Sequence, residues 1–155
     1  MSKYWRMQLH PSDSQNAIRY TINSLVAGFI GLDFLEDPGN LTIADPQTVL
    51  QSEKQFFAFA TDMKVGDKVL IFTHNFPFAL VTVKGEYNYI KNQTPELGLW
   101  FRHFRRISDD IIYYYDYKTN AHKWQRIPMT STISPLHDPN SKTYMLIEKM
   151  LEEKA

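Results

Sequence analysis

The chain has no cysteine, which excludes a disulfide framework, Cys-ligated zinc, iron–sulfur clusters and a thiol nucleophile. Long hydrophobic runs are also missing: the longest uncharged apolar stretch, Ser24 to Leu32, falls far short of the ~18–20 residues that span a bilayer. The opening residues Met1-Ser2-Lys3-Tyr4-Trp5-Arg6 lack the charged-then-apolar layout and small-residue cleavage site of a signal peptide. A cytoplasmic protein with no membrane partner is therefore expected. Net charge is absent as well, with seventeen Lys+Arg against seventeen Asp+Glu. The chain is no polycation, and any contact with nucleic acid must rest on a local basic face.

The common catalytic signatures are missing too. There is no Gly-x-x-x-x-Gly-Lys-Ser/Thr phosphate loop, no Gly-x-Gly-x-x-Gly after a strand and no Gly-x-Ser-x-Gly elbow. The histidines at 10, 74, 103, 122 and 137 stand singly, without the i,i+4 pairing of a helical metal site. Asp109-Asp110, with Asp116 and Lys118, could be imagined as metal-nuclease ligands, but no third carboxylate has suitable spacing. The expectation is a binding protein, not an enzyme, with no metal and no cofactor.

What remains is one domain's worth of chain, 155 residues with 43% hydrophobic side chains, enough for a real core. Lys3 to Leu9 alternates, which predicts a first strand with Trp5, Met7 and Leu9 inward. Ser12 and Gln15 have capping-box spacing before a helix whose apolar face is Ile18, Ile22, Leu25 and Val26, with Gly28 as its stop. Phe29-Ile30-Gly31-Leu32 reads as a tight second strand where another backbone or a ligand comes close. Asp45 and Pro46 start a second helix with Val49, Leu50, Phe56, Phe57 and Ala60 buried.

A turn at 64–67 launches the strand 68–72, and strands follow at 78–84, 86–90, 99–107 and 111–117. A hairpin-like turn falls at Thr119-Asn120, after which Trp124 to Ile127 can pair back. Pro135 to Asn140 reads as loop, and Ser141 to Leu151 as a terminal helix with Tyr144, Ile147 and Leu151 on one face. The sum is a single α+β domain over 1–155, about six mostly antiparallel strands curled into a barrel with two or three helices outside.

Charge and aromatics point to a ligand. From Gly98 to Arg126 six cations face three acids, whereas residues 1–70 carry six cations and eight acids. On a strand, Arg102, Phe104 and Arg106 share one face, which suits phosphates with bases nearby. Arg102, Arg105 and Arg106 are the candidate phosphate contacts. The competing reading is a solvated sheet edge guarded by charge.

Aromatic residues make up 14% of the chain, enough for a cage around an extruded base. Trp5, Phe56, Phe57, Phe72 and Tyr144 suit the core better. Phe29, Phe34, Phe76 and Trp100, at strand ends or turns, suit a cage, with Asp33 and Asn75 as polar selectors.

Several stretches carry a resemblance: Gly28-Phe-Ile-Gly-Leu-Asp-Phe34, Pro38-Gly39-Asn40-Leu41, Phe59-Ala-Thr-Asp-Met-Lys-Val-Gly-Asp-Lys-Val-Leu-Ile71, Ala79 to Tyr89 and Leu97 to Ile107. In order and content they resemble the DNA-recognition domains of McrB-type modification-dependent restriction proteins, and the EVE and YTH branches of the PUA-like superfamily. Phe29 stands where EVE relatives have a Trp after the first helix. Phe34 stands where McrB-type relatives often have a Trp, and Asn40 where they have an Asp. The loop His74-Asn75-Phe76-Pro77 corresponds to a second pocket wall in YTH relatives.

The resemblance implies a curled sheet with a pocket for a flipped, modified base, walled by Phe29, Phe34, His74, Phe76 and Trp100 and read by Asp33 or Asn75. The expected partner is modified double-stranded DNA, methylated on cytosine or adenine, with a separate motor or nuclease subunit. An RNA-binding module of the same fold and a peptide- or small-ligand interaction domain are the alternatives.

Overall fold

In the computed structural model, which describes residues 3–9, 17–32, 39–41, 57–73, 76–92, 101–114, 127 and 133–154, the alternation at the start of the chain becomes strand β1 (Tyr4–Gln8). Trp5, Met7 and Leu9 are buried as the pattern requires. Helix α1 (Ala17–Ala27) ends at Gly28, whose positive φ of 93° lets its N–H turn back onto the carbonyls of Ser24 and Leu25. The expected apolar face of this helix is wrong by part of a turn. Thr21, Ser24 and Leu25 are buried, whereas Ile22 and Val26 are exposed.

Strand β2 (Phe29–Leu32) follows directly, and helix α2 (Phe57–Thr61) leads through a turn into β3 (Lys68–Thr73). The remaining strands are β4 (Phe76–Thr82), β5 (Asn88–Tyr89), β6 (His103–Arg106), β7 (Ile112–Tyr113) and β8 (Ile133–Leu136), and helix α3 (Lys142–Lys154) closes the described chain. The segment 135–140, expected as loop, begins inside β8, because Pro135 sits opposite Trp5 on a strand that borders only β1. The capping box at 12–15, the helix start at 45–46 and the turn at 119–120 lie outside the described residues.

Among the described residues the strands form two sheets and no closed barrel, which corrects the six-stranded barrel expected from sequence. One sheet has the order β7-β4-β3-β1-β8, the other β2-β6-β5. Among the described residues only β1 and β3 pair in parallel, and the other ladders are antiparallel. Where β4 ends, Val83 bridges Ile107, Lys84 N–H donates to the Arg106 carbonyl (2.9 Å) and Ser108 N–H to that of Thr82 (2.9 Å). The sheets are thus laced together at this corner instead of rolling into one cylinder.

The larger sheet is a middle layer. Val69, Ile71, Ala79 and Val81 point into one core with Trp5, Met7, Ile30, Phe59 and Phe101. Leu70, Phe72 and Leu80 point into a second, beneath Ile147 and Met150 of α3. Burial on both faces explains why β3 reads as an unbroken apolar run. Arg6 lies on the α3 side, with its guanidinium 4.4 Å from the Phe72 ring centre and donating to Thr143 Oγ1 (3.1 Å) and the Ile127 carbonyl (2.7 Å). Among the described residues no helix is long and apolar enough to cross a membrane.

Asp67 ties the start of the chain to this frame. Its buried carboxylate accepts the Lys3 N–H, the Trp5 indole N–H and the Lys64 N–H, each at 2.9 Å. Asp67→Ala leaves those donors without their acceptor and should lower stability by about 3 kcal/mol, from about 1 kcal/mol or more per lost bond. Asp109→Ala, at an exposed turn, should stay within about 0.5 kcal/mol. Urea unfolding of both variants tests the contrast.

Tyr4 provides a second test, at the α3 contact. Its ring lies 4.8 Å from that of Tyr144. Burial, then a hydrogen bond to Glu148 and that residue's negative charge, push its pKa from 10.0 up to about 12. A raised folded-state pKa means that the neutral phenol is favoured by folding. Its contribution is complete below pH 10 and is lost as pH rises towards 12. Phenolate absorbance titration should show a late transition that Tyr4→Phe removes.

Candidate functional site

The smaller sheet follows from an alternation of burial along β6: His103 buried, Phe104 half-buried, Arg105 buried, Arg106 exposed. Register then assigns the faces of its neighbours. Phe29 lies opposite Arg106, Gly31 opposite Phe104 and Asn88 opposite Phe104, while Ile30 pairs with Arg105, and Leu32 and Tyr89 pair with His103. One side therefore presents Phe29, Phe104, Arg106 and Asn88, and the other packs into the core. The Phe29 and Phe104 rings meet edge to face, with centres 5.5 Å apart. Arg102 precedes Phe104 by two residues and is half-buried, and Lys84 is exposed beside the Arg106 backbone.

Gly31 is where the close approach expected of β2 occurs. A Cβ there would collide with the carbonyl oxygen of His103 and the ring of Phe101. The neighbour is the chain's own backbone and a core ring, so the glycine serves packing.

Arg105, expected on a phosphate, is instead a core residue. Alternation turns it inward, where Nε donates to the Gly85 carbonyl (3.0 Å) and Nη1 to the carbonyls of Phe59 (2.9 Å) and Met63. Nη2 makes no hydrogen bond and faces the Glu86 carboxylate at 3.9 Å. Burial lowers the pKa of Arg105, with the charges of Glu86 and Asp67 acting the other way. The side chain joins β6 to α2 and to the β4–β5 connection, and it offers no surface to a ligand.

Of the other expected site residues, Phe29 comes together with Arg106 and Phe104. Phe76 stands on the other sheet, at the start of β4 opposite Thr73. Asp33, Phe34, His74, Asn75 and Trp100 lie outside the described residues, as do Asp116 and Lys118. Asp109 and Asp110 sit exposed at the turn after β6, and among the described residues no three His, Cys, Asp or Glu side chains cluster as metal ligands.

A group not singled out from sequence lies beneath the sheet. His103, fully buried, shares a 2.7 Å hydrogen bond through Nδ1 with the Tyr87 hydroxyl, which also accepts the Leu41 N–H at 2.9 Å. Tyr89 packs 5.0 Å from the imidazole and Phe59 meets Tyr87 edge to face. Alternating Tyr87 and Tyr89 around a buried His was the available signal, but an isolated histidine reads as a surface residue.

No family model and no curated protein matches the chain. Among solved structures, the YTH domain of the Zygosaccharomyces rouxii MRB1 protein, in complex with N6-methyladenosine RNA, is similar at a TM-score of 0.50 and 11% identity, over 96% of this chain and 88% of that one. The likeness is one of fold, and it falls on the YTH side of the expected architecture.

The opposite roles of neighbouring arginines give a direct test. Arg105→Met strands three backbone carbonyls and should cost about 3 kcal/mol or more. Arg106→Gln, on the exposed side, should stay within about 0.5 kcal/mol. Denaturant midpoints of the two variants measure this, and equal effects would contradict the assigned faces.

Proposed function

We infer that the chain is a nucleic-acid reader without enzymatic activity, which binds single-stranded RNA on the outward side of the β2–β6–β5 sheet and accommodates a methylated base. The observation that carries this reading is the Phe29–Phe104 pair, half-buried and edge to face, with Arg106 opposite Phe29. Flat rings accept bases whatever their sequence, at roughly 1–3 kcal/mol per base, and flanking guanidinium groups hold the phosphates. A methyl group on a base adds apolar surface that such rings cover. The fold supports the choice of RNA, being similar to that of a domain solved with N6-methyladenosine RNA. The reading inferred from the restriction-type resemblance, modified DNA with a partner motor or nuclease, competes for the same surface.

Fluorescence anisotropy with short RNA and DNA strands and duplexes, each carrying N6-methyladenine, 5-methylcytosine, 5-hydroxymethylcytosine or no modification, separates these. Methylated RNA should bind best. Phe29→Ala should weaken it by about 1–3 kcal/mol. Arg102→Gln and Arg106→Gln should each reduce the log–log salt slope by about 0.7, the value for one phosphate of a single strand. Tighter binding of methylated duplex DNA would reinstate the DNA reading, and binding with no salt dependence would favour a peptide or neutral ligand.

A further inference from the structure

We propose that Lys84 and Arg106 form a two-cation clamp that grips one phosphate of a bound strand, and that a β-bulge at Lys84–Gly85 builds it. This rests on the nucleic-acid reading above and adds to it a residue and a route, over the corner where the two sheets join.

Backbone hydrogen bonds define the bulge. Val83 and Ile107 face each other across an antiparallel bridge, so Lys84 comes opposite Arg106. The Arg106 carbonyl accepts two N–H groups there, from Lys84 at 2.9 Å and from Gly85 at 3.1 Å. Two residues of one strand thus oppose one of the other, the arrangement that bends a strand and re-aims its side chains. Val83 and Ile107 point into the main core, which sends Lys84 and Arg106 out on the other side, where both are exposed. Residues opposite each other in such a ladder have Cβ atoms about 4.5–5.5 Å apart. Gly85 leaves room for the arginine stem, since a Cβ on it would sit 3.2 Å from the Arg106 Cβ.

Charge then points to an anion. Like charges directly opposite each other on a sheet repel. Among the described residues neither side chain has an ion pair or a hydrogen bond to offset this. Glu86, the acid closest to Lys84 in sequence, instead turns its carboxylate to Arg105 at 3.9 Å. Across the turn after β6, Asp110 Oδ1 accepts the Ser108 hydroxyl at 3.4 Å. A phosphate between the two cations would convert their repulsion into charge-assisted contacts, with the guanidinium fork on two oxygens and the ammonium as a point charge beside them.

Phe29 completes the row. It lies opposite Arg106 on β2, so ring, guanidinium and ammonium stand side by side on neighbouring backbones about 4.8 Å apart. A strand whose base meets the Phe29 ring thus passes its phosphate across Arg106 and Lys84. Beyond Lys84 it reaches the turn before β3, where Gly66 N–H donates to the Val83 carbonyl at 2.8 Å.

The test uses the full chain and fluorescein-labelled copies of whichever strand binds best, at one fixed salt concentration. Lys84→Gln and Arg106→Gln should each weaken binding about tenfold, and Lys84→Arg should keep wild-type affinity. Because both cations grip one phosphate, the double variant should fall well short of the about hundredfold loss expected of independent contacts. Strands with a single methylphosphonate linkage, which removes the charge of one phosphate, locate the contact. One position should cost wild type about tenfold and cost the double variant almost nothing further. The urea midpoint of Lys84→Gln should match that of wild type, and a drop would assign Lys84 to the fold instead.

Binding that Lys84→Gln leaves unchanged, or losses that multiply in the double variant, would overturn the clamp while leaving the reader standing. So would a loss that no single neutral linkage reproduces. Absence of binding to every strand would overturn both.

Discussion

The buried guanidinium of Arg105 is the constraint on which the smaller sheet depends. Removing such a charge from water costs several kcal/mol unless its protons find acceptors. Here the carbonyls of Gly85, Phe59 and Met63 supply them, and they come from two separate stretches of chain. The geometry is met in one register only. A slip of one residue along β6 would bring Phe104 or Arg106 beneath the sheet and expose Arg105 with three carbonyls left unpaired. The inward arginine therefore decides that Phe104 and Arg106 lie on the other side. A residue without access to any ligand sets the surface that a ligand would meet.

The layering limits where such a surface can be. The five-stranded sheet is covered on both sides, by the main core and by α3, and Asp67 fastens β1 to the turn before β3. The smaller sheet turns Ile30, His103 and Arg105 inward, while Phe29 and Phe104 on its other side stay half-buried. Lacing at Val83 and Ile107 joins it to the first, so its outer side is carried by strands tied into the larger sheet. Its inner side is fixed by the Leu41–Tyr87–His103 chain of hydrogen bonds, and the buried Phe101 ring packs against Gly31 on the side of Phe104.

Much of this was legible in the residues. Trp5, Met7 and Leu9 alternate as a half-buried strand should, Val69 to Phe72 run unbroken because both faces are covered, and Gly28 ends a helix with the conformation only glycine adopts cheaply. The sharing of one side by Phe104 and Arg106 followed from a period of two. What misled was chemistry read without parity: Arg105 looks like a phosphate ligand by type, yet the same period sends it inward. In α1 the small hydroxyls Thr21 and Ser24 fit tightly under the sheet while the larger Ile22 and Val26 stay out, and hydropathy alone ranks them the other way. β8 was hidden by Pro135, acceptable there because β8 borders a single strand. The barrel failed because its closure depends on strand tilt and stagger, which no local pattern records.

A balanced net charge bears on what kind of binding such a surface can support. With seventeen charges of each sign, long-range attraction to a polyanion is small, and physiological salt screens what remains beyond about 8 Å. The exposed Arg106 and Lys84 could supply only a few phosphate contacts, too few to hold nucleic acid non-specifically at useful strength. The rings contribute on a similar scale, roughly 1–3 kcal/mol for each base stacked. Affinity must then come from several short-range contacts made together, and a strand that misses one of them loses a large share of the total. On the nucleic-acid reading, a weakly charged sheet with two rings is for that reason better suited to choosing among strands than to coating them.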